Sequence, residues 1–211
     1  MRKIIIAILS LCMIISVFTG CGRPKLTPDE SVKAIYDLYI KGNTVGISKL
    51  GLSDKDIALA VSNSDDTVKS TISNTFIANG LDVEDSVIDE ICTARKSALS
   101  KMESEFEVVS LEKKTAKVKI KTTYFDEKAL YDTTFHDAVD TAEVDGYDGY
   151  DEYIDAIANA YPQNLIAAYN AVVPSEDKKD FSISCTIVNN TWVPADMSGF
   201  GNTLFNTISG Q

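Results

Sequence analysis

Between Ala116 and Tyr124 the chain alternates strictly. Ala116, Val118, Ile120, Thr122 and Tyr124 point one way, and Lys117, Lys119 and Lys121 the other. A period of two with one apolar and one lysine side is the pattern of a half-buried strand. Its apolar side must be covered by something, and the rest of the chain offers mainly helices. The same period returns near the end. Phe181, Ile183, Cys185 and Ile187 alternate, Asn189-Asn190 supplies a turn tolerant of positive φ, and Thr191-Trp192-Val193 leads back before Pro194 stops the pairing. With a partner strand from Phe106 to Leu111, this predicts a curved antiparallel sheet of about four strands, over residues 105–111, 116–125, 180–188 and 191–194. The fold class expected is therefore α+β and rich in helix.

The helices are read from period and caps. Thr27, Pro28 and Glu30 form a capping box with proline in the first turn, followed by Val32, Ile35, Tyr36 and Tyr39 on one face and Gly42-Asn43 as the stop. Ser53 caps a short helix to about Asn63, and Ser64 caps the next, ended by Asn79-Gly80. Asp82 caps a longer helix to about Met102, with Val83, Val87, Ile91, Ala94 and Ala98 as its buried stripe. After the first hairpin, Tyr131, Phe135, Ala138, Val139 and Ala142 restore the helical period. A loop rich in Asp, Gly and Tyr separates this from a helix begun by Tyr153, Ile154 and Ile157, where Pro162 predicts a kink or a new start. Asp196 caps the last helix, with Met197, Phe200, Leu204 and Ile208 on one side.

The amino terminus reads differently. Arg2 and Lys3 precede an apolar run from Ile4 to Val17, then Phe18-Thr19-Gly20-Cys21. A short positive end, a brief apolar core and small residues before a cut define a secretory signal peptide. The run is shorter than the roughly 20 apolar residues that a membrane span requires. The small pair before cysteine resembles the lipobox of bacterial lipoproteins, with Phe18 where that signal usually carries leucine. The resemblance implies that residues 1–20 are removed, that Cys21 carries the lipid, and that residues 21–26 tether the domain 27–211. The expected location is the extracytoplasmic face of the cell membrane. Seven residues from Cys21 span at most about 25 Å.

Net charge is −11, and −13 once Arg2 and Lys3 are gone. That balance argues against a nucleic-acid partner, because such binding rests on Lys and Arg against phosphate. Of four cysteines, Cys12 leaves with the signal and Cys21 takes the lipid. Cys92 and Cys185 remain, both on apolar faces, and are read as two buried thiols rather than a disulfide.

Residues 28–42, the Ala116-Lys117-Val118 strand and the turn before Trp192 resemble small lipoproteins of Gram-positive bacteria that carry domains of unknown function. Those are similar to the nuclear-transport-factor-2-like, or cystatin-like, fold. The resemblance implies a first helix lying in the concave side of the sheet, within a single domain into which residues 53–102 and 127–173 are helical insertions. It also allows a pocket lined by Tyr36, Tyr39, Phe106, Tyr124 and Trp192.

Other candidate chemistry is sparse. His136, the single histidine, has Asp132 and Asp140 at helical spacing and Asp137 beside it. The cone fold would allow such a pair to shuttle protons, but the residues share a polar face and read as solvated. Thr141 to Glu152 matches a calcium loop only in part: Glu143, Asp145, Gly146 and Glu152 fit positions 3, 5, 6 and 12, and Thr141 fails at position 1, so the stretch reads as an acidic turn. The lysines at 113, 114, 117, 119 and 121 are read as a wet strand face, with docking of an anionic polymer as the sharper alternative. No residue is assigned as catalytic, cofactor-binding or metal-binding. The expectation is a membrane-anchored domain of the cell envelope that binds a small ligand or an envelope protein. The alternatives are a cone-fold enzyme with an acid/base pair in its pocket, and a structural envelope protein.

Overall fold

The first helix, α1 (Pro28–Lys41), is the centre of the protein. The computed structural model describes residues 24–147 and 149–211; the expected signal peptide and the expected lipid site, Cys21, lie outside the described residues. The Glu30 carboxylate accepts the Thr27 backbone N–H at 2.9 Å, and Gly42 closes the helix in the left-handed region at φ 65°. Val32, Ala34, Ile35, Tyr36, Leu38 and Ile40 are all buried, so α1 is enclosed on nearly every side rather than along one stripe.

The other elements follow in chain order: α2 (Val45–Ser48), α3 (Asp54–Ala78), α4 (Asp85–Ser100), β1 (Ser104–Leu111), β2 (Thr115–Thr122), α5 (Glu127–Asp145), α6 (Tyr150–Ala171), β3 (Lys179–Val188), β4 (Thr191–Pro194) and α7 (Met197–Ile208). The class is α+β, as the two periods require. The strands form one antiparallel sheet in the order β1-β2-β3-β4. Register puts Phe106, Ile120 and Phe181 side by side, and then Val108, Val118 and Ile183. This apolar face is covered by α1, which packs on β1, β2 and β4, and by α7, which packs on β3 and β4. The β3–β4 turn places Asn189 and Asn190 at φ 50° and 62°, the double left-handed geometry of a tight hairpin. Helices α3 to α6 pack among themselves and reach the sheet through α1.

The structure corrects four boundaries. The expected break near Asn63-Ser64 is absent, and α3 runs unbroken from Asp54 to Ala78. Ser64, the expected cap, lies inside the helix, and Thr67, Thr71 and Thr75 each donate to the carbonyl four residues earlier. Ion pairs Lys96–Asp65 and Lys69–Asp89 then fasten the middle of α3 to α4. Pro162 starts nothing new; it is buried inside α6, which is held by both α4 and α5. The α4 cap is Glu84 rather than Asp82. Strand β2 stops at Thr122 rather than 125, because the next backbone donors are claimed elsewhere. Thr123 N–H goes to the Glu103 carbonyl, Tyr124 N–H to Ser175 Oγ, and Phe125 N–H to the Ile208 carbonyl, at 3.0, 3.0 and 3.1 Å.

Candidate functional site

A buried ion pair joins three helices. Arg95 on α4 donates from Nε to Glu127 Oε1 at 2.7 Å and from Nη2 to Oε2 at 3.3 Å, a fork onto a carboxylate at the start of α5. The Tyr169 hydroxyl on α6 donates to the same Oε1 at 2.6 Å. The side chains of Arg95 and Glu127 are 13% and 8% exposed, so the charges are almost wholly removed from water. Burial alone would raise the Glu127 carboxyl. The Arg95 charge and the hydrogen bonds from Arg95 and Tyr169 outweigh it and hold the group below the usual carboxylate range. Burial, with the Glu127 charge, pushes Tyr131 up to about 12 and Tyr169 well above its ordinary value. The rings of Tyr131 and Tyr169 meet edge-on, with centroids 6.3 Å apart. Every polar atom of this carboxylate is engaged, so what the cluster does chemically is fix α4, α5 and α6 to one another. Lys101 reinforces the same joint by donating to the Asn170 and Val172 carbonyls at the end of α6, at 2.9 and 3.0 Å.

The five residues expected to line a pocket fall into different surroundings. Tyr36 is fully buried. Its ring meets Phe106 at 5.4 Å, and its hydroxyl is 2.7 Å from Thr122 Oγ1. Tyr39 is half-buried against the core, and Trp192 is buried opposite Ile187. Tyr124 stands apart from these contacts. Lys179 Nζ lies over its ring at 4.7 Å, and Gly210 packs beside it. The rings of Tyr36 and Phe106 thus occupy the space between the first helix and the sheet.

The lysine strand does not present a bare positive face. Register sets Glu105 beside Lys121 and Glu107 beside Lys119, and Asp180 pairs with Lys119 at 2.9 Å from the other side. Lys178 adds bridges to Glu105 and Glu103 at 2.8 and 3.5 Å. His136, Asp137 and Asp140 are exposed on α5, and Asp132, also exposed, pairs with Lys128. Thr141 to Asp145 belong to α5, where a calcium loop would need them wrapped around the ion; Asp148 lies outside the described residues. Cys92 and Cys185 are free thiols, half-buried on α4 and buried on β3.

Sequence reasoning missed the groove between α5 and α6. It is open, holds about 430 Å³, and is lined by Ala129, Leu130, Thr133, Thr134 and Asp137 from α5 and Asn164, Ala167 and Ala168 from α6. A signal existed in the charges. Residues 127–171 hold ten carboxylates and one lysine, a net −9 of the chain's −11.

These features define an α+β domain with one helix enclosed between an antiparallel sheet and a helical layer. The fold is similar to that of a Bacillus subtilis protein, the candidate lipoprotein ycdA. The two superpose with a TM-score of 0.59 at 18% sequence identity, over 86% of this chain and 55% of that one. The chain thus spans about half the length of that protein, and the likeness is one of fold. No protein-family model and no curated protein matches the sequence.

Proposed function

We propose that the protein is a lipid-anchored lipoprotein of the extracytoplasmic membrane face, which acts by binding rather than by catalysis. The observation that carries this is the Phe18-Thr19-Gly20-Cys21 signal behind a basic and apolar start. Two further facts support it. The fold is shared with a chain described as a candidate lipoprotein, and no helix among the described residues is long and apolar enough to cross a membrane. A thioether lipid on Cys21, with a second acyl chain, would anchor the chain stably, since each buried methylene contributes about 0.8 kcal/mol. The central helix laid on an antiparallel sheet supports the finer kinship with the nuclear-transport-factor-2-like fold, with residues 53–102 and 127–173 as insertions in a single domain. Binding rather than turnover is supported by the filled space beneath Tyr36 and by the exposure of His136. The test is Cys21→Ala expressed in a Gram-positive host fed labelled palmitate. The wild type takes up label and partitions with membranes, and the variant does neither. A variant that still partitions with membranes refutes the anchor.

A further inference from the structure

We propose that the groove between α5 and α6 is a docking site for a basic amphipathic helix of a partner protein. The inference deepens the binding role above and rests on it, but not on the lipid. Its floor and walls are mostly apolar and small: Ala129, Thr133, Ala167 and Ala168 leave room for a third helix to approach the seam of two others, the usual way an amphipathic helix is seated.

Charge selects the occupant. Asp137 lies in the groove, and Asp140, Glu143, Asp151, Glu152 and Asp155 are exposed on the same two helices. None of these six has an ion-pair partner among the described residues. What sets them apart is density: residues 127–171 hold ten carboxylates against one lysine, and that lysine, Lys128, is taken by Asp132. At the tip of the hairpin, Tyr150 is 77% exposed and Tyr147 41%, aromatic faces of the kind that attract Lys and Arg. A second copy of the chain is a poor occupant, because its own hairpin carries the same net −9. An anionic lipid surface is repelled for the same reason. A small polycation would satisfy the acids and leave the apolar floor uncovered. A helix with leucines on one face and lysines flanking them satisfies both.

The test uses the full chain in neutral phosphatidylcholine nanodiscs, with empty discs as the blank. The probe is a fluorescent leucine–lysine amphipathic helix of roughly five turns. Binding is read by anisotropy, and circular dichroism checks that each variant is folded. Three results are expected: saturable one-to-one binding, weakening of about tenfold or more with Asp137→Lys and Asp140→Lys together, and a comparable loss with Ala167→Trp, which fills the groove and leaves the charge unchanged. The pair Glu176→Lys and Asp177→Lys changes charge equally outside the hairpin and should have little effect. The proposal is overturned by the absence of binding, by equal weakening in the control pair, by full binding to Ala167→Trp, or by equal binding of a scrambled peptide of the same composition. None of these outcomes bears on palmitate uptake at Cys21, so the two readings fail separately.

Discussion

Replacing Glu127 by alanine removes the one carboxylate that faces the buried Arg95 guanidinium, and the consequence can be worked from the geometry. Arg95 would keep its charge despite burial, because a guanidinium does not give up its proton in a protein, and among the described residues its side chain, 13% exposed, makes no ion pair with another acid. Breaking a buried pair from one side costs about 3–5 kcal/mol, because the remaining charge stays uncompensated. Arg95→Met should cost a similar amount, by stranding Glu127. The double variant Arg95→Met with Glu127→Ala removes both charges and should recover most of the loss. What remains is the orphaned Tyr169 hydroxyl, about 1–3 kcal/mol, which a third change, Tyr169→Phe, relieves. Urea unfolding followed by helix circular dichroism gives the four corners of the cycle. The expected coupling is about 2 kcal/mol or more. The same site predicts a pH dependence. The folded Glu127 pKa is depressed, so its contribution is complete above the unfolded value of about 4.3 and is lost as pH falls through the folded value. The stability gap between wild type and Glu127→Gln should therefore narrow in acid below about pH 4.3. A Glu127→Ala cost under about 1 kcal/mol, an additive cycle, or a gap that does not change with pH would each refute the argument.

Two further outcomes follow from local geometry. Gly199→Ala would place a Cβ 2.3 Å from Asp196 Oδ2, the side chain that caps α7, and should cost about 1 kcal/mol through the lost cap, read as a lowered urea midpoint. Cys185 should resist thiol reagents in the folded protein, because burial pushes it up to about 12, and should react at the rate of unfolding; fast labelling under native conditions would contradict its place under the sheet.

The elements most legible in the sequence were those in which local pattern and tertiary role agree. The lysine alternation predicted β2 and its wet face, and Thr27, Glu30 and Gly42 marked both ends of α1. Legibility failed where distant groups decide. Ser64 carries cap chemistry in isolation, but α3 runs through it unbroken and is tied to α4 beside it by the Lys96–Asp65 ion pair. Pro162 breaks an isolated helix, yet neighbours on both sides hold α6 through it. The burial of α1 all round could not be read from its own face pattern, since it depends on α3 and α4 closing over the side away from the sheet. Arg95 and Glu127 lie far apart in sequence and look like ordinary surface charges until α4 and α5 meet. The groove was hidden for the same reason, being made by small residues of two helices whose pairing no local period reveals.

Charge distribution links the proposed anchor to the proposed groove. On the sheet, Lys119 pairs with Asp180 and Lys121 lies beside Glu105, and two ion pairs join α3 to α4, whereas residues 127–171 carry a net −9. The net charge therefore concentrates on the α5–α6 hairpin. A body with its charge at one side behaves near an anionic surface as a charged lever. Repulsion acts within a screening length of about 8 Å at physiological salt, whereas a tether from Cys21 to Pro28 can extend about 25 Å. A lipid at Cys21 would thus hold the domain near the headgroups without forcing the hairpin against them, and electrostatics would turn the acidic helices away from the bilayer. The surface left facing outward is then the one whose carboxylates are unmatched and whose groove is open, which is where a basic partner helix would meet it.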